Sequence, residues 1–189
     1  QDNQNREKEE QNYSNYNDYL KSLDMIAEIA EAKEVYLERI YQLINKTNQF
    51  NLTTKRYTKS EVDEVYKDPK QILLYGKLKD KFGDNGLISI IIAEQKGKVL
   101  EIPLWLMSCR VLKRDMEIAM LNELVNLAKE RGIEKILGTY IPSKKISMVK
   151  DHYKNLGFKF EKEENEVFTW GLEIKDYQPK ECMIEKGEY

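Results

Sequence analysis

The stretch QILLYGKLKDKFGDNGLISIIIAEQKGKVLEIPLWLMSCR, residues 71–110, decides the fold class. It holds three runs rich in β-branched and aromatic residues, at about 71–80, 87–95 and 98–108. Phe82-Gly83-Asp84-Asn85-Gly86 separates the first two and Gln95-Lys96-Gly97 the others, and both are turn compositions. The pattern predicts a three-stranded antiparallel meander. Downstream, Asp115 precedes Met116, Ile118, Ala119, Leu121, Leu124, Val125 and Ala128, the periodicity of a helix, which Gly132 stops. Ile136 to Ile141 reads as a strand ended by Pro142, and Ile146 to Leu156 as a helix ended by Gly157. Phe158–Glu161 and Val167–Ile174 read as a last hairpin, and the tail after Asp176 as loose.

Upstream, Thr58 with Glu61 three residues on is a capping-box spacing that opens a short helix closed by Pro69. Tyr16, Tyr19, Leu20, Leu23, Ile26, Ala27 and Ala30 fall on one stripe of a helix from Tyr16 to about Ala32. Leu37, Ile40, Tyr41 and Ile44 repeat the pattern in a second helix ending near Asn45. Residues 1–14 lack any aliphatic side chain and read as a flexible tail or linker remnant. The expected organisation is this tail, a helical hairpin over 15–48, an α/β domain over 49–175 around one mixed sheet, and a C-terminal tail over 176–189.

The chain has 189 residues, which suits one large domain. Its net charge of −2 removes the field expected of a nucleic-acid binder, and no apolar run approaches the ~18 residues of a membrane span. The expected partners therefore include neither nucleic acid nor membrane. Two cysteines, Cys109 and Cys182, give no disulfide framework, and a reducing cytoplasm is the expected location. With a single histidine, His152, no metal-ligand set forms, and no phosphate-binding or dinucleotide fingerprint is present. The polar start at Gln1, with no Met, reads as a piece of a longer protein.

Cys109 ends the third meander strand just ahead of the helix opening near Asp115. A thiol near unpaired helix N–H groups is suited to accept an acyl group; the alternative is an inert cysteine buried at a strand end. His152 is the only imidazole for a Cys–His pair, or else a surface helical residue. Tyr153 either donates a proton or packs in the core. The cluster Asn48, Gln49, Asn51, Thr53 and Thr54 either lines a polar cleft or cross-links a tight turn. Asp84 and Asn85 read as turn formers. Cys182 is expected in a mobile tail, reacting faster with thiol reagents than Cys109.

Three blocks, KTNQFNLTTKRYT (46–58), DKFGDNGLI (80–88) and WLMSCRVLKRDME (105–117), resemble the C-terminal acyltransferase-like half of FkbH-like proteins. The ending Tyr153-Lys154-Asn155-Leu156-Gly157-Phe158 resembles the GCN5-related N-acetyltransferase fold. The resemblance covers about Arg39 to Trp170 and implies that fold, with two added N-terminal helices and a sheet splayed between the strands ending near Arg110 and Tyr140. It further implies transfer of a small hydroxyacyl group, glyceryl from 1,3-bisphosphoglycerate, through a Cys109 thioester to an acyl carrier protein in polyketide-type biosynthesis. His152 or Tyr153 would handle protons, and Asn48, Gln49, Asn51, Thr53, Thr54, Asp84 and Arg110 would hold the substrate. Lys113 and Arg114 would meet the phosphate of the carrier's phosphopantetheine arm. No cofactor is implied in this stretch itself; magnesium belongs to a haloacid-dehalogenase-type phosphatase domain expected upstream. In the fold's phosphate loop, Q/R-x-x-G-x-G/A, the glycine positions are filled here by Lys113 and Asp115. Because such glycines let a ligand approach backbone N–H groups, their replacement favours a rival reading, a carrier-docking module without catalysis.

Overall fold

The computed structural model describes residues 1–143 and 148–189. Its first half runs α1 (Asp2–Glu10), α2 (Tyr16–Ser22), β1 (Ile26–Glu31), α3 (Leu37–Lys46), α4 (Lys59–Lys67), β2 (Gln71–Asp80), β3 (Gly83–Lys96) and β4 (Val99–Met107). Then follow α5 (Met116–Glu130), β5 (Lys135–Tyr140), α6 (His152–Asn155), β6 (Lys159–Glu164), β7 (Val167–Glu173) and β8 (Glu185–Lys186). The strands form one mixed sheet in the order β6-β7-β5-β4-β3-β2-β1-β8.

The meander forms as expected, because β2, β3 and β4 are apolar on both faces and are buried on both. Ile72, Leu74, Ile91, Trp105 and Met107 face one core with α5 and α2. Leu73, Tyr75, Ile90, Ile92, Leu104 and Leu106 face a second core with α3 and α4. The Thr58–Glu61 capping box is complete at the start of α4. Gly76 on β2 is a close approach, since a Cβ there would collide with Met116 and Met120 of α5.

The structure departs from expectation in three places, two in the N-terminal third and one at the C-terminus. The single helix expected from Tyr16 to Ala32 stops at Leu23, where Asp24 takes a left-handed backbone (φ 51°). Residues 26–31 instead pair antiparallel with β2, from Ile26 opposite Lys79 to Glu31 opposite Leu74. Ile26, Ala27, Ile29 and Ala30 satisfy a helical stripe, yet an open apolar sheet edge offers more burial, and local propensity yields to it. Residues 2–10 are a helix rather than a loose tail. Charge anchors it: Arg6 donates to both oxygens of Asp80 (2.6 and 2.9 Å), and Lys81 to Glu9 (2.8 Å). The tail after Asp176 is also fixed, as a strap along α5 in which Met183 N–H donates to the Asp115 carboxylate (3.0 Å) and β8 pairs parallel with β1. Of the helix expected over 146–156, the described part is α6; residues 144–147 lie outside the described residues.

The expected splay is present. β4 and β5 pair in parallel only from Val99 to Ile102 against Lys135 to Gly138, and then part. Residues 50–52 fill the gap: Leu52 N–H donates to Trp105 C=O (3.0 Å), Met107 N–H to Phe50 C=O (2.9 Å), and Ile141 N–H to Leu52 C=O (2.9 Å).

Asp80 ties the N-terminal helix to the far end of the splay. Its buried carboxylate takes Arg6, Arg114 (2.8 Å) and the N–H groups of Phe82 and Gly83 (2.9 and 3.1 Å). Burial alone would raise its pKa, but the Arg6 hydrogen bond, the Phe82 N–H and the two guanidinium charges outweigh burial and hold it below the ordinary 3.8. The folded-state pKa being the lower, the stabilisation is complete above the unfolded value and fades as pH falls toward the folded one. Asp80→Asn is therefore expected to cost about 3–5 kcal/mol in urea unfolding at neutral pH, with a gap from wild type that narrows below pH ~4.

Candidate functional site

Two cavities open where β4 ends, one on each side of Phe50. Cys109 follows Met107 by two residues and starts a single 3₁₀ turn, Cys109–Val111. Its thiol is exposed rather than buried at a strand end. It lines a cleft of about 690 Å³ with Arg39, Lys46, Asn48, Gln49, Ser108 and Arg110, and Phe50 closes one side. The cleft so brings together four residues named from sequence, Cys109, Asn48, Gln49 and Arg110. It adds Lys46, the first residue of the polar stretch over 46–54, and Arg39, which the sequence reading did not single out; both project from α3. A signal was available: Arg39, Leu43 and Lys46 are spaced to share one helix face.

The second cavity is an apolar groove of about 400 Å³ whose lining includes Phe50, Met107, Leu112, Ile118, Met148 and Leu156. Its polar members are Lys113, Glu117, His152, Asn155 and Lys180. Burial lifts the Glu117 carboxyl above its usual range and pushes the His152 imidazole down to about 3. His152 stands edge-on between Trp105 (4.3 Å between ring centroids) and Phe50 (5.2 Å), so it is neither the surface helical residue nor, sitting outside the cleft, a partner for Cys109. Tyr153 is buried too, its ring laid across Gly138 of β5, where any Cβ would overlap it. Burial raises its phenol far above 10 and so keeps it protonated; because Tyr153 lines neither cavity, its ring serves as core packing.

The remaining polar residues turn inward. Asn51 is buried and accepts from the N–H groups of Thr53 (3.2 Å) and Thr54 (2.8 Å). Thr53 donates to Pro103 C=O (2.9 Å), and Thr54 to Thr53 C=O (2.7 Å), so these three cross-link a turn and do not line the cleft. Asp84 caps its own turn through Gly86 N–H (2.7 Å) and accepts from the Tyr189 hydroxyl (3.0 Å). Arg114 is spent inside the fold, donating to the Asp80 carboxylate and to the Asn85 side-chain oxygen Oδ1 (2.8 Å each), which withdraws it from the phosphate role. Asp115 does not cap α5 with its side chain, which holds the strap instead. Cys182 is half-buried beside Asp115 C=O (3.7 Å), with burial raising its thiol pKa, so it is no mobile thiol.

The loop ahead of α5 keeps the geometry of a glycine loop without the glycines. Lys113 (φ 63°) and Asp115 (φ 69°) both adopt the left-handed conformation, at the two positions where the phosphate loop has glycine. Among the described residues, no group of three or more His, Cys, Asp and Glu is placed to hold a metal ion. No described helix is long and apolar enough to cross a membrane.

The architecture matches solved structures. The ribosomal-protein-S18-alanine N-acetyltransferase from Escherichia coli superposes with a TM-score of 0.60 at 11% identity, over 78% of this chain and 94% of that one. The acetyltransferase domain of PAT from S. lividans gives 0.61 at 14%, over 77% and 89%. The PaiA N-acetyltransferase from Thermoplasma acidophilum, in complex with coenzyme A, gives 0.59 at 18%, over 78% and 98%. The chain has the GCN5-related N-acetyltransferase fold. No family model matches the sequence, and no curated protein matches it.

Two measurements check the site. On the native protein, a thiol reagent is expected to modify Cys109 quickly and Cys182 slowly, the fast phase vanishing in Cys109→Ser; the reverse order would contradict the placement of both thiols. Lys113→Gly is expected to raise stability by about 1 kcal/mol in denaturant unfolding, since glycine takes the left-handed backbone without strain.

Proposed function

We propose that this chain is an acyltransferase that carries a small hydroxyacyl group on Cys109 and passes it to the thiol of a phosphopantetheine arm. The observation that carries the reading is the placement of an exposed Cys109 in a cleft with three cations, Arg39, Lys46 and Arg110. Cations around a nucleophile suit an anionic acyl donor, and Asn48 and Gln49 supply amides for acyl hydroxyls. The groove beyond Phe50 suits the arm: its lining is mostly apolar, and the exposed Lys113 and Lys180 in it can meet a phosphate.

The Cys109 thiolate attacks the acyl carbonyl of an acyl phosphate; the carbon–sulfur bond forms, the carbon–oxygen bond breaks and phosphate leaves. The carrier thiolate then attacks the thioester, and Cys109 departs as thiolate. The second step exchanges like for like, so positioning rather than driving force governs it. On the FkbH-like resemblance, which stands on the three sequence blocks, the donor is 1,3-bisphosphoglycerate, the group is glyceryl and the acceptor is an acyl carrier protein in polyketide-type biosynthesis. An upstream phosphatase domain and a cytoplasmic location belong to the same proposal.

One observation favours the rival reading, a carrier-docking module. Among the described lining of the cleft, the titratable side chains besides Cys109 are cations, with no carboxylate or imidazole to receive its proton. Intact-mass measurement after incubation with 1,3-bisphosphoglycerate separates the two. Wild type is expected to gain one glyceryl mass, discharged by holo-carrier protein, and Cys109→Ser to gain none, since a hydroxyl of similar volume is a far poorer nucleophile. Carrier binding with no adduct on wild type would replace transfer by docking.

A further inference from the structure

We infer that Phe50 is the end wall of the apolar groove, a specificity-determining residue that limits the length of the acyl chain carried by a pantetheine arm there. The inference rests on the arm-in-groove reading above and adds to it the residue that sets the size of the group transferred.

Phe50 is the residue that lines both cavities. On the groove side its ring stands edge-on against His152 at 5.2 Å, and the residue is 8% exposed, so it closes that end rather than projecting into solvent. Its main chain cannot move aside freely, because Phe50 C=O accepts from Met107 N–H (2.9 Å) and the next two residues are tied to β4 and β5. The wall is thus a ring on a pinned backbone. Met107 opens into the groove, and Ser108 and Cys109 into the cleft. The thiol of an arm lying in the groove therefore meets Cys109 around the edge of Phe50, and the acyl group must fit in the space that the ring leaves. Beside the ring, His152 lines the groove and stands edge-to-face against the buried Trp105. Removing the ring frees the space it fills between groove and cleft, so the groove lengthens and the methylene groups of a longer chain gain burial there.

The test uses unreactive probes, S-alkyl pantetheine thioethers with ethyl, butyl, hexyl and octyl chains, titrated calorimetrically into wild type, Phe50→Ala and Phe50→Leu. Wild type is expected to bind the short chains and to lose affinity at hexyl. Phe50→Ala is expected to move the optimum to hexyl or octyl, with the hexyl-to-ethyl affinity ratio rising about tenfold or more. Phe50→Leu, the milder change should the alanine variant fail to fold, is expected to move it part of the way. A variant that binds the series with the wild-type chain-length profile overturns the end-wall assignment and leaves the arm-in-groove reading standing. Failure of wild type to bind any of the four probes overturns both.

Discussion

Two parallel strands that part company leave a row of backbone donors and acceptors that must be satisfied, and the structure is arranged around how this is done. β4 and β5 separate beyond Ile102 and Gly138. The N–H of Met107 and the carbonyl of Trp105 would be costly to bury without partners. Residues 50–52 supply those partners and bond across to Ile141 as well. That inserted segment fixes Phe50 beside His152, turns Asn48 and Gln49 outward into the cleft and sets the end of β4 so that Cys109 emerges at its lip. Asn51 is the clasp: its carbonyl closes the turn that follows, and its amide reaches the Thr47 carbonyl (3.4 Å). The polar cluster over 46–54 is therefore half architecture and half cleft.

Much of the fold was legible because the strongest patterns are local. The meander's apolar runs, the Thr58 capping box and the α5 stripe each have a period or a terminus that one segment carries alone. The failures all involve partners distant in sequence. β1 exists because β2 offers an edge fifty residues later; read alone, Ile26–Glu31 is as good a helix. α1 buries almost no apolar surface and is ordered by Arg6 on Asp80, seventy-four residues away, which a rule based on hydrophobic content does not see. The C-terminal strap likewise depends on Asp115 and Asn122 of another element.

The site was legible to a similar depth. Cys109, Asn48, Gln49 and Arg110 converge because they lie at the two ends of the inserted segment's contact with β4. Arg114 and Asp84 carry the right chemistry for a ligand, but the fold had prior use for both. A buried aspartate with two arginines is a demanding object, and Arg114 is one of the two. His152 shows the same point from the other side. As the sole imidazole it attracted a catalytic role, yet Phe50, Trp105 and Tyr153 surround it and burial keeps it neutral to about pH 3. At neutral pH it is a flat, weakly polar ring filling the space between α6 and β4.

The division of chemistry between the two cavities follows from these placements. Charge collects where α3 and the 3₁₀ turn face each other, so Arg39, Lys46 and Arg110 surround the thiol. Apolar side chains collect where the α5 loop meets α6, so the groove beyond is mostly apolar, and its cations, Lys113 and Lys180, are among its exposed members. The left-handed residues Lys113 and Asp115 sustain this arrangement, since they turn the chain sharply between Cys109 and α5 without the glycines that usually permit it. The strain is held in place by contacts to other elements: the Tyr16 hydroxyl donates to the Lys113 carbonyl (2.5 Å), and Met183 N–H binds the Asp115 carboxylate. The N-terminal helices and the C-terminal strap, the elements least visible in the sequence, thereby hold the loop from which Lys113 of the groove projects.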